Sequence, residues 1–175
     1  VYSDVGCDIS RSKKEVGSSG EMSFLKVPRK ISSDIRITAE DVFSCTREIE
    51  TDIWRKTGAV HCSVLFSDGK CIVKSSDVGR HNTVDKVVGY AVLNGIDLSR
   101  CVIGCTGRQP AGMVKKDANA GIPVVISRAA STDKGIATAD RAGITLVCFS
   151  RGDRFTIYSH PERILGVGTP SSFCR

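Results

Sequence analysis

Short apolar runs alternate with amphipathic segments over the second half of this 175-residue chain. Runs rich in Val, Ile and Cys span residues 100–105, 122–127 and 144–149, and segments of helical periodicity at 111–119 and 132–142 separate them. Strands that are covered on both faces are unbroken apolar runs, and the crossovers between parallel strands are usually helices. The pattern therefore predicts an α/β fold, a three-layer α/β/α sandwich around a mostly parallel sheet.

Upstream of this alternation the sequence predicts a helix and a hairpin. Thr38 and Asp41 have the spacing of a capping box, so we expect a helix that starts there and ends at Gly58. Residues 60–66 and 71–74, joined by a Ser-Asp-Gly-Lys turn, predict a β-hairpin at one edge of the sheet.

The chain divides by composition into two parts. Residues 1–37 carry scattered serines and glycines with few apolar residues in register, which predicts an irregular N-terminal segment. Residues 38–175 are then the α/β core domain. Within it Asn82 is expected to cap a helix, and residues 155–158 to form a last strand before the chain becomes irregular after His160.

Composition excludes several classes of protein. The chain is 41% hydrophobic and 25% charged, which is usual for a globular domain. No apolar run approaches the roughly 20 residues of a membrane-spanning helix, and no secretory signal opens the chain. The net charge of +6 suits an anionic ligand, but the basic residues are spread along the chain. We therefore expect neither nucleic acid nor a membrane as a partner.

The eight cysteines are scattered, and no two have the CxxC spacing. Several lie inside apolar runs, where Cys acts as a small hydrophobe, so we expect reduced thiols in a cytoplasmic protein. Cys7 differs because it lies in a Gly/Ser/Lys-rich stretch close to Arg11, Lys13 and Lys14. Nearby positive charge favours a reactive thiolate. An incidental thiol is the alternative for this residue.

Arginines follow the predicted strands at the edge where open α/β sheets bind ligands. They are Arg80, Arg108, Arg128, Arg151 and Arg154. Guanidinium groups match phosphate oxygens in pairs, and neighbouring glycines let backbone amides approach the same oxygens. The pattern indicates a polyanionic ligand such as a nucleotide or dinucleotide. Ion pairing of each arginine with a nearby carboxylate is the alternative.

The glycine and histidine patterns disfavour several known classes of cofactor and metal site. No GxGxxG or Walker sequence is present, which disfavours a Rossmann cofactor or a P-loop triphosphate. His61 lacks the His-x-Glu and CxxC partners of a zinc deaminase, so we expect no metal site. His61 either contacts a ligand or is a structural histidine with its bonds satisfied, whereas His81, beside Arg80, is placed to contact an anion.

Several long and unusual motifs lie between residues 57 and 164. They are Asp77-Val78-Gly79-Arg80-His81-Asn82-Thr83-Val84-Asp85-Lys86, Gly107-Arg108, Ala120-Gly121-Ile122-Pro123 leading to Ser127-Arg128, Gly143-Ile144-Thr145-Leu146-Val147, and Arg151-Gly152-Asp153-Arg154-Phe155 with His160-Pro161-Glu162-Arg163-Ile164. In this order they resemble the FdhD family of formate dehydrogenase accessory proteins.

The resemblance implies a fold like that of the cytidine deaminases, without their zinc chemistry. It implies a homodimer that takes persulfide sulfur from a cysteine desulfurase and passes it to the molybdenum cofactor for formate dehydrogenase. That cofactor is bis-molybdopterin guanine dinucleotide, which GDP-like nucleotides can mimic. The family's cofactor-binding segment corresponds to Phe149, Ser150, Arg151, Gly152, Asp153 and Arg154. The further candidates for cofactor binding are Arg80, His81, Gly107, Arg108, Ser127 and Arg128.

The family carries its sulfur on a CGxCG-type loop, and here the corresponding region holds Gly6-Cys7-Asp8 with a single cysteine. Cys7 is therefore the candidate persulfide carrier. The alternatives are a molybdenum-cofactor-binding chaperone that has lost the sulfur relay, and a nucleotide-responsive regulator. The chain also starts close to this loop, so we expect a family-typical N-terminal portion to be missing.

Overall fold

The computed structural model describes residues 29–167. Its main sheet contains β2 (His61–Ser67), β3 (Lys70–Asp77), β4 (Cys101–Cys105), β5 (Val124–Ser127), β6 (Thr145–Arg151) and β7 (Arg154–Ser159). These six strands lie in the order β3-β2-β4-β5-β6-β7. A second, two-stranded sheet pairs β1 (Ile37–Thr38) in parallel with β8 (Ile164–Leu165).

Helices cover both faces of the main sheet. They are α1 (Ala39–Ile49), α2 (Asp52–Thr57), α3 (Arg80–Leu93), α4 (Ala111–Ala120) and α5 (Asp133–Ala142). Successive strand residues point to opposite faces. Accordingly Val125 packs in the cluster that α3, α4 and α5 cover, while Val124 and Ile126 pack in the cluster that α1 covers. The predicted α/β class and its three layers are confirmed.

The strand directions bring most of the strand-following loops to one side. β4, β5 and β6 are parallel, whereas β2 and β7 run against their neighbours. The carboxyl ends of β3, β4, β5 and β6 therefore lie on the same side of the sheet as the amino ends of β2 and β7. We call this border the carboxyl edge. The β2–β3 hairpin lies beside β4 as predicted, with β3 outermost.

The first helix is shorter than the sequence predicts. The capping box is confirmed, since Asp41 N–H donates to Thr38 Oγ1 (3.1 Å) and Thr38 N–H donates to the Asp41 carboxylate (2.7 Å). The helix then stops at Ile49 instead of continuing to Gly58. Thr51 starts a separate helix by accepting a hydrogen bond from Trp54 N–H (3.3 Å). A second N-cap within the predicted helix therefore divides it.

Both ends of the described range contribute to the core, and after His160 the chain is more regular than the sequence predicts. Ile31 and Ile37 are buried although they lie in the segment predicted to be irregular. Past His160 the chain forms a short 3₁₀ helix and then β8, where Ile164 is buried beside Ile37. The cause is apolar burial: Ile37 and Ile164 pack in the cluster that α1 covers, whereas Ile31 packs in the cluster on the opposite face of the sheet.

Asn82 does not cap a helix as predicted. α3 begins at Arg80 with Gly79 as the N-cap, and no side chain caps it. Asn82 Nδ2 donates instead to the carboxylate of Asp77 (2.9 Å). The helix thus begins earlier because Asp77 organises the turn that precedes it.

Two further observations concern the residues between 29 and 167. No helix in this range is long and apolar enough to span a membrane. The six cysteines that it contains are free thiols, as the sequence predicts.

Candidate functional site

The carboxyl edge gathers the predicted arginines into one row. Arg80 begins α3 directly after β3, Arg108 lies in the β4–α4 loop, and Arg128 follows β5. Arg151 and Arg154 pair across the turn between β6 and β7. Five residues from separate parts of the sequence therefore border the same side of the sheet, as the strand pattern predicts.

Four of these arginines carry charge that no carboxylate of residues 29–167 neutralises, namely Arg80, Arg108, Arg151 and Arg154. Arg128 differs, because its Nη1 lies 2.6 Å from Glu50 Oε1 and its guanidinium lies over the ring of Trp54, 5.4 Å from the centroid. The ion-pair alternative thus holds for Arg128. The other four leave a strongly cationic border that attracts an anion.

Arg80 packs directly against the backbone of Gly107. A Cβ at position 107 would lie 2.9 Å from Arg80 Cβ and 3.1 Å from its Cδ, so a larger residue would displace this side chain. The Nε of Arg80 is buried and has no hydrogen-bond partner among the described residues. An unpaired buried donor costs roughly 1–3 kcal/mol, and such exceptions call for a functional explanation. The Arg80–Gly107 contact is therefore the strongest single mark of a ligand site at this edge.

The loop that holds Gly107 and Arg108 is fixed from behind by buried side chains. Gly107 C=O accepts hydrogen bonds from Ser127 Oγ (2.7 Å) and Gln109 Nε2 (3.1 Å), and both side chains are fully buried. Ser127 was predicted to bind the cofactor itself. The structure places it beneath the edge, where it positions the Gly107 carbonyl.

The segment from Phe149 to Arg154 is partly exposed at the same edge. Phe149 has φ 52°, a left-handed conformation that is uncommon for a bulky residue, and the residue is 41% exposed. Ser150 is buried and hydrogen-bonds Thr46 from α1. Arg151 Nε donates to the carbonyl of Arg128 (3.0 Å). The segment therefore presents its aromatic ring and arginines outward while Ser150 anchors it.

The other members of this segment and its neighbours are placed as follows. Gly152 has φ 57°, which suits glycine in the turn, and Asp153 is exposed beside it. His81 lies half-buried in the first turn of α3.

The Asp77 carboxylate accepts from Lys86 Nζ (2.6 Å) and from Gly79 N–H (2.9 Å), and these bonds hold its pKa well below the usual range. Asp77 thus stays charged and fixes the turn that precedes Arg80.

The structure adds His61, for which the sequence left both interpretations open. It is the first residue of β2, and its Nδ1 lies 3.2 Å from Thr106 Oγ1. Burial lowers the pKa of His61, and the charges of Arg80 and Arg108 lower it further. His61 therefore lies near both arginines, a relation that sequence spacing does not reveal because the three residues come from different elements of the fold.

The cysteines within the described residues are poor candidates for sulfur chemistry. Burial raises the pKa of Cys45 and Cys105 far above the usual range and that of Cys148 to about 12. A thiol reacts as its thiolate, which burial disfavours. Cys7, the predicted persulfide carrier, lies outside the described residues.

The fold and the edge define a class: a mixed α/β protein with a cationic border along the carboxyl ends of its strands. Comparison with known proteins identifies the class further. Residues 3–165 match the model of the FdhD/NarQ family. The chain belongs to the FdhD/NarQ family.

Individual relatives agree with this assignment. The sulfur carrier protein FdhD of Thermoplasma volcanium is 46% identical over 114 residues, which cover 65% of this chain and 41% of that protein. The protein of the same name from Methanothermobacter thermautotrophicus is 40% identical over 137 residues, or 77% of this chain and 55% of the relative. The chain spans about half the length of the curated relatives it matches.

A solved structure has the same fold. It is the crystal structure of a protein described as a formate dehydrogenase accessory protein from Desulfotalea psychrophila. The two share a TM-score of 0.73 and 36% sequence identity over 80% of this chain and 61% of that chain. The predicted family resemblance is therefore confirmed by sequence and by structure.

Proposed function

We propose that this protein is a sulfur carrier that binds the molybdenum cofactor, bis-molybdopterin guanine dinucleotide, at its carboxyl edge and delivers sulfur to it for formate dehydrogenase. The observation that carries the proposal is the row of four unneutralised arginines, with the buried Nε of Arg80 unpaired among the described residues. The names of the relatives, sulfur carrier protein and formate dehydrogenase accessory protein, support the same conclusion.

The chemistry of the edge fits the cofactor as a substrate. Its guanine dinucleotide arms carry phosphates, and Arg80, Arg108, Arg151 and Arg154 are the groups that would hold them, because guanidinium forks match phosphate oxygens. The exposed ring of Phe149 offers a face on which a guanine base could stack. The phosphates and the base would thus be recognised by different parts of one edge.

The sulfur relay is assigned to Cys7. Its thiolate would attack the terminal sulfur of a persulfide on a cysteine desulfurase, whose own cysteine thiolate leaves, so that Cys7 becomes the persulfide. Support comes from the described core, where burial makes Cys45 and Cys105 unsuitable for this attack. The same proposal makes the protein a cytoplasmic homodimer, and its mass in solution tests the dimer.

Nucleotide binding is tested by titrating GDP, as a mimic of the dinucleotide arm, into the wild type and two variants. Arg80→Gln should bind at least about tenfold more weakly, because it loses a charged hydrogen bond worth roughly 1.5–3 kcal/mol. Arg141→Gln removes the same charge from an exposed position on α5 and should bind as the wild type does. Equal affinity in all three proteins would contradict the assigned edge.

Sulfur loading is tested by incubating the protein with a cysteine desulfurase and cysteine, followed by peptide mass spectrometry. A gain of about 32 Da, one sulfur atom, is expected on the peptide that contains Cys7. Cys7→Ser should lose this gain, whereas Cys71→Ser, which removes a half-buried thiol from β3, should retain it. A persulfide that forms equally well in Cys7→Ser would reject the assignment.

One observation favours a second candidate function. Residues 1–28 contain a single cysteine, Cys7, where the family resemblance implies a loop with two. The protein would then be a molybdenum-cofactor-binding chaperone without a sulfur relay. If the protein binds GDP at the edge and no cysteine is loaded with sulfur, the chaperone function is supported over the sulfur carrier.

A further inference from the structure

Hydrogen bonds hold the His61 ring in place through one of its two nitrogens, Nδ1. Cys62 N–H donates to Thr106 Oγ1 (3.0 Å), and the same oxygen lies 3.2 Å from His61 Nδ1. A hydroxyl group has one proton to donate and two lone pairs that accept. Thr106 Oγ1 can therefore accept from Cys62 N–H and also bond Nδ1 of His61, whether Nδ1 carries a proton or not. The ring keeps this bond when it is protonated on both nitrogens, and Nε2–H is then a donor.

Nε2 of His61 has no hydrogen-bond partner within residues 29–167. The charged groups near the ring are Arg108, two residues after the Thr106 that bonds the ring, and Arg80, which packs against Gly107. Asp77 is the neighbour of His61 on β3, but its carboxylate is occupied by Lys86, Gly79 and Asn82. Nε2 thus remains for a ligand, beside two unneutralised guanidinium groups, on a ring that Thr106 holds in place.

We propose that His61 is a further ligand-contacting residue of the carboxyl edge, which donates from Nε2 to a phosphate and takes up a proton when a nucleoside diphosphate binds. This inference rests on the proposed function, since it assumes that the edge binds phosphates. It assigns to His61 the role of making that binding depend on pH.

The direction of the pH dependence follows from the groups around the ring. In the free protein, burial and the two arginines lower the pKa of His61, so the ring is neutral near pH 7. A bound polyanion compensates the charges of Arg80 and Arg108 and favours the imidazolium, which raises the pKa. Binding is then linked to proton uptake, and the affinity rises as the pH falls.

The experiment is a titration of the full chain with GDP at pH 8 and pH 6, with guanosine as a ligand that lacks phosphate. The wild type should bind GDP up to about tenfold more tightly at pH 6 for each unit by which binding raises the His61 pKa. His61→Gln keeps an N–H donor but cannot be protonated. At pH 8 the variant should bind GDP with nearly the affinity of the wild type. Its affinity should increase less than that of the wild type when the pH is lowered to 6.

Two controls isolate the effect of His61. The terminal phosphate of GDP titrates near pH 6, so the difference between the wild type and His61→Gln is the measured quantity. His160→Gln changes a histidine beyond the far end of β7, where it contacts Glu162, and should keep the full response of the wild type. Guanosine should show no stronger binding at pH 6 than at pH 8.

A second measurement needs no variant. The His61 ring signals, followed by NMR against pH, should give a higher pKa in the presence of GDP than in its absence. An unchanged pKa in the complex, or an undiminished pH response in His61→Gln, would overturn the inference while leaving nucleotide binding intact. Absence of GDP binding to the wild type at both pH values would overturn the proposed function as well.

Discussion

Gly107 determines how closely two loops of the carboxyl edge approach each other. Its missing side chain lets Arg80 pack against the backbone, while its carbonyl is held by Ser127 and Gln109. The glycine therefore sets the position of the arginine on one side and is itself positioned from the other. A change at this residue should therefore affect both ligand binding and stability.

Gly107→Ala is predicted to weaken GDP binding severalfold and to destabilise the protein by roughly 1–3 kcal/mol, because the added methyl overlaps Arg80 near its Cβ, which cannot simply rotate away. Calorimetric titration and urea unfolding measure the two effects. Wild-type affinity in this variant would show that the Arg80 position does not matter for binding.

The site residues differ in how far the sequence could predict them. The arginines could be predicted from the sequence because each follows a predicted strand, and the end of that strand marks the edge. The pairing of Arg128 with Glu50 and the inward direction of Ser127 could not be predicted, because their partners are remote in sequence or belong to the backbone. The place of His61 beside Arg80 and Arg108 could not be predicted for the same reason, since the two arginines reach it from other elements.

At the scale of elements, α1 and β4 meet at a glycine. A Cβ on Gly104 would lie 2.6 Å from Cys45 Sγ and 2.8 Å from Ile49 Cγ1, both on α1, and 2.9 Å from Val64 Cγ2 on β2. Periodicity predicted these elements, but it does not show which strand residue lies under the helix. It also missed the break after Ile49, because the apolar spacing continues past the cap at Thr51.

Gly104→Ala is predicted to destabilise the protein by about 3 kcal/mol, since the helix must move away from the sheet to admit one methyl group. Gly89→Ala is the matched control. It lies inside α3 with nothing within 4 Å of the new Cβ, so it should stabilise by up to about 1 kcal/mol through helix propensity. Chemical denaturation measures both, and equal stabilities would refute the proposed close packing.

At the scale of the whole molecule, a buried carboxyl group links stability to pH. Asp117 on α4 is 1% exposed, and its Oδ1 has no hydrogen-bond partner in the described part of the chain. Burial raises the pKa of Asp117 to about 8, which Lys116 opposes and Asp85 reinforces. At pH values between the ordinary pKa of an aspartic acid and this value, Asp117 is protonated in the folded state and ionised in the unfolded state. The contribution of Asp117 to stability therefore falls as the pH rises through that window.

Asp117→Asn should remove this dependence, because the amide is nearly isosteric and stays neutral. We expect the melting temperature of the variant to exceed that of the wild type by more at pH 8 than at pH 5. Asp34→Asn, at an exposed position, serves as the control and should leave the difference between the two pH values unchanged. The same gain at both pH values would mean that Asp117 is already ionised in the folded protein.

The parallel pairing of β1 with β8 has a consequence for how the chain folds. Ile37 and Ile164 come from opposite ends of the described residues, so their contact closes a loop that contains the entire main sheet. The entropy lost on closing a loop grows with its length, and contacts between distant residues slow folding. This strand pair should consequently assemble last, after the central strands have associated, and its amides should be among the first to exchange with solvent in the native protein.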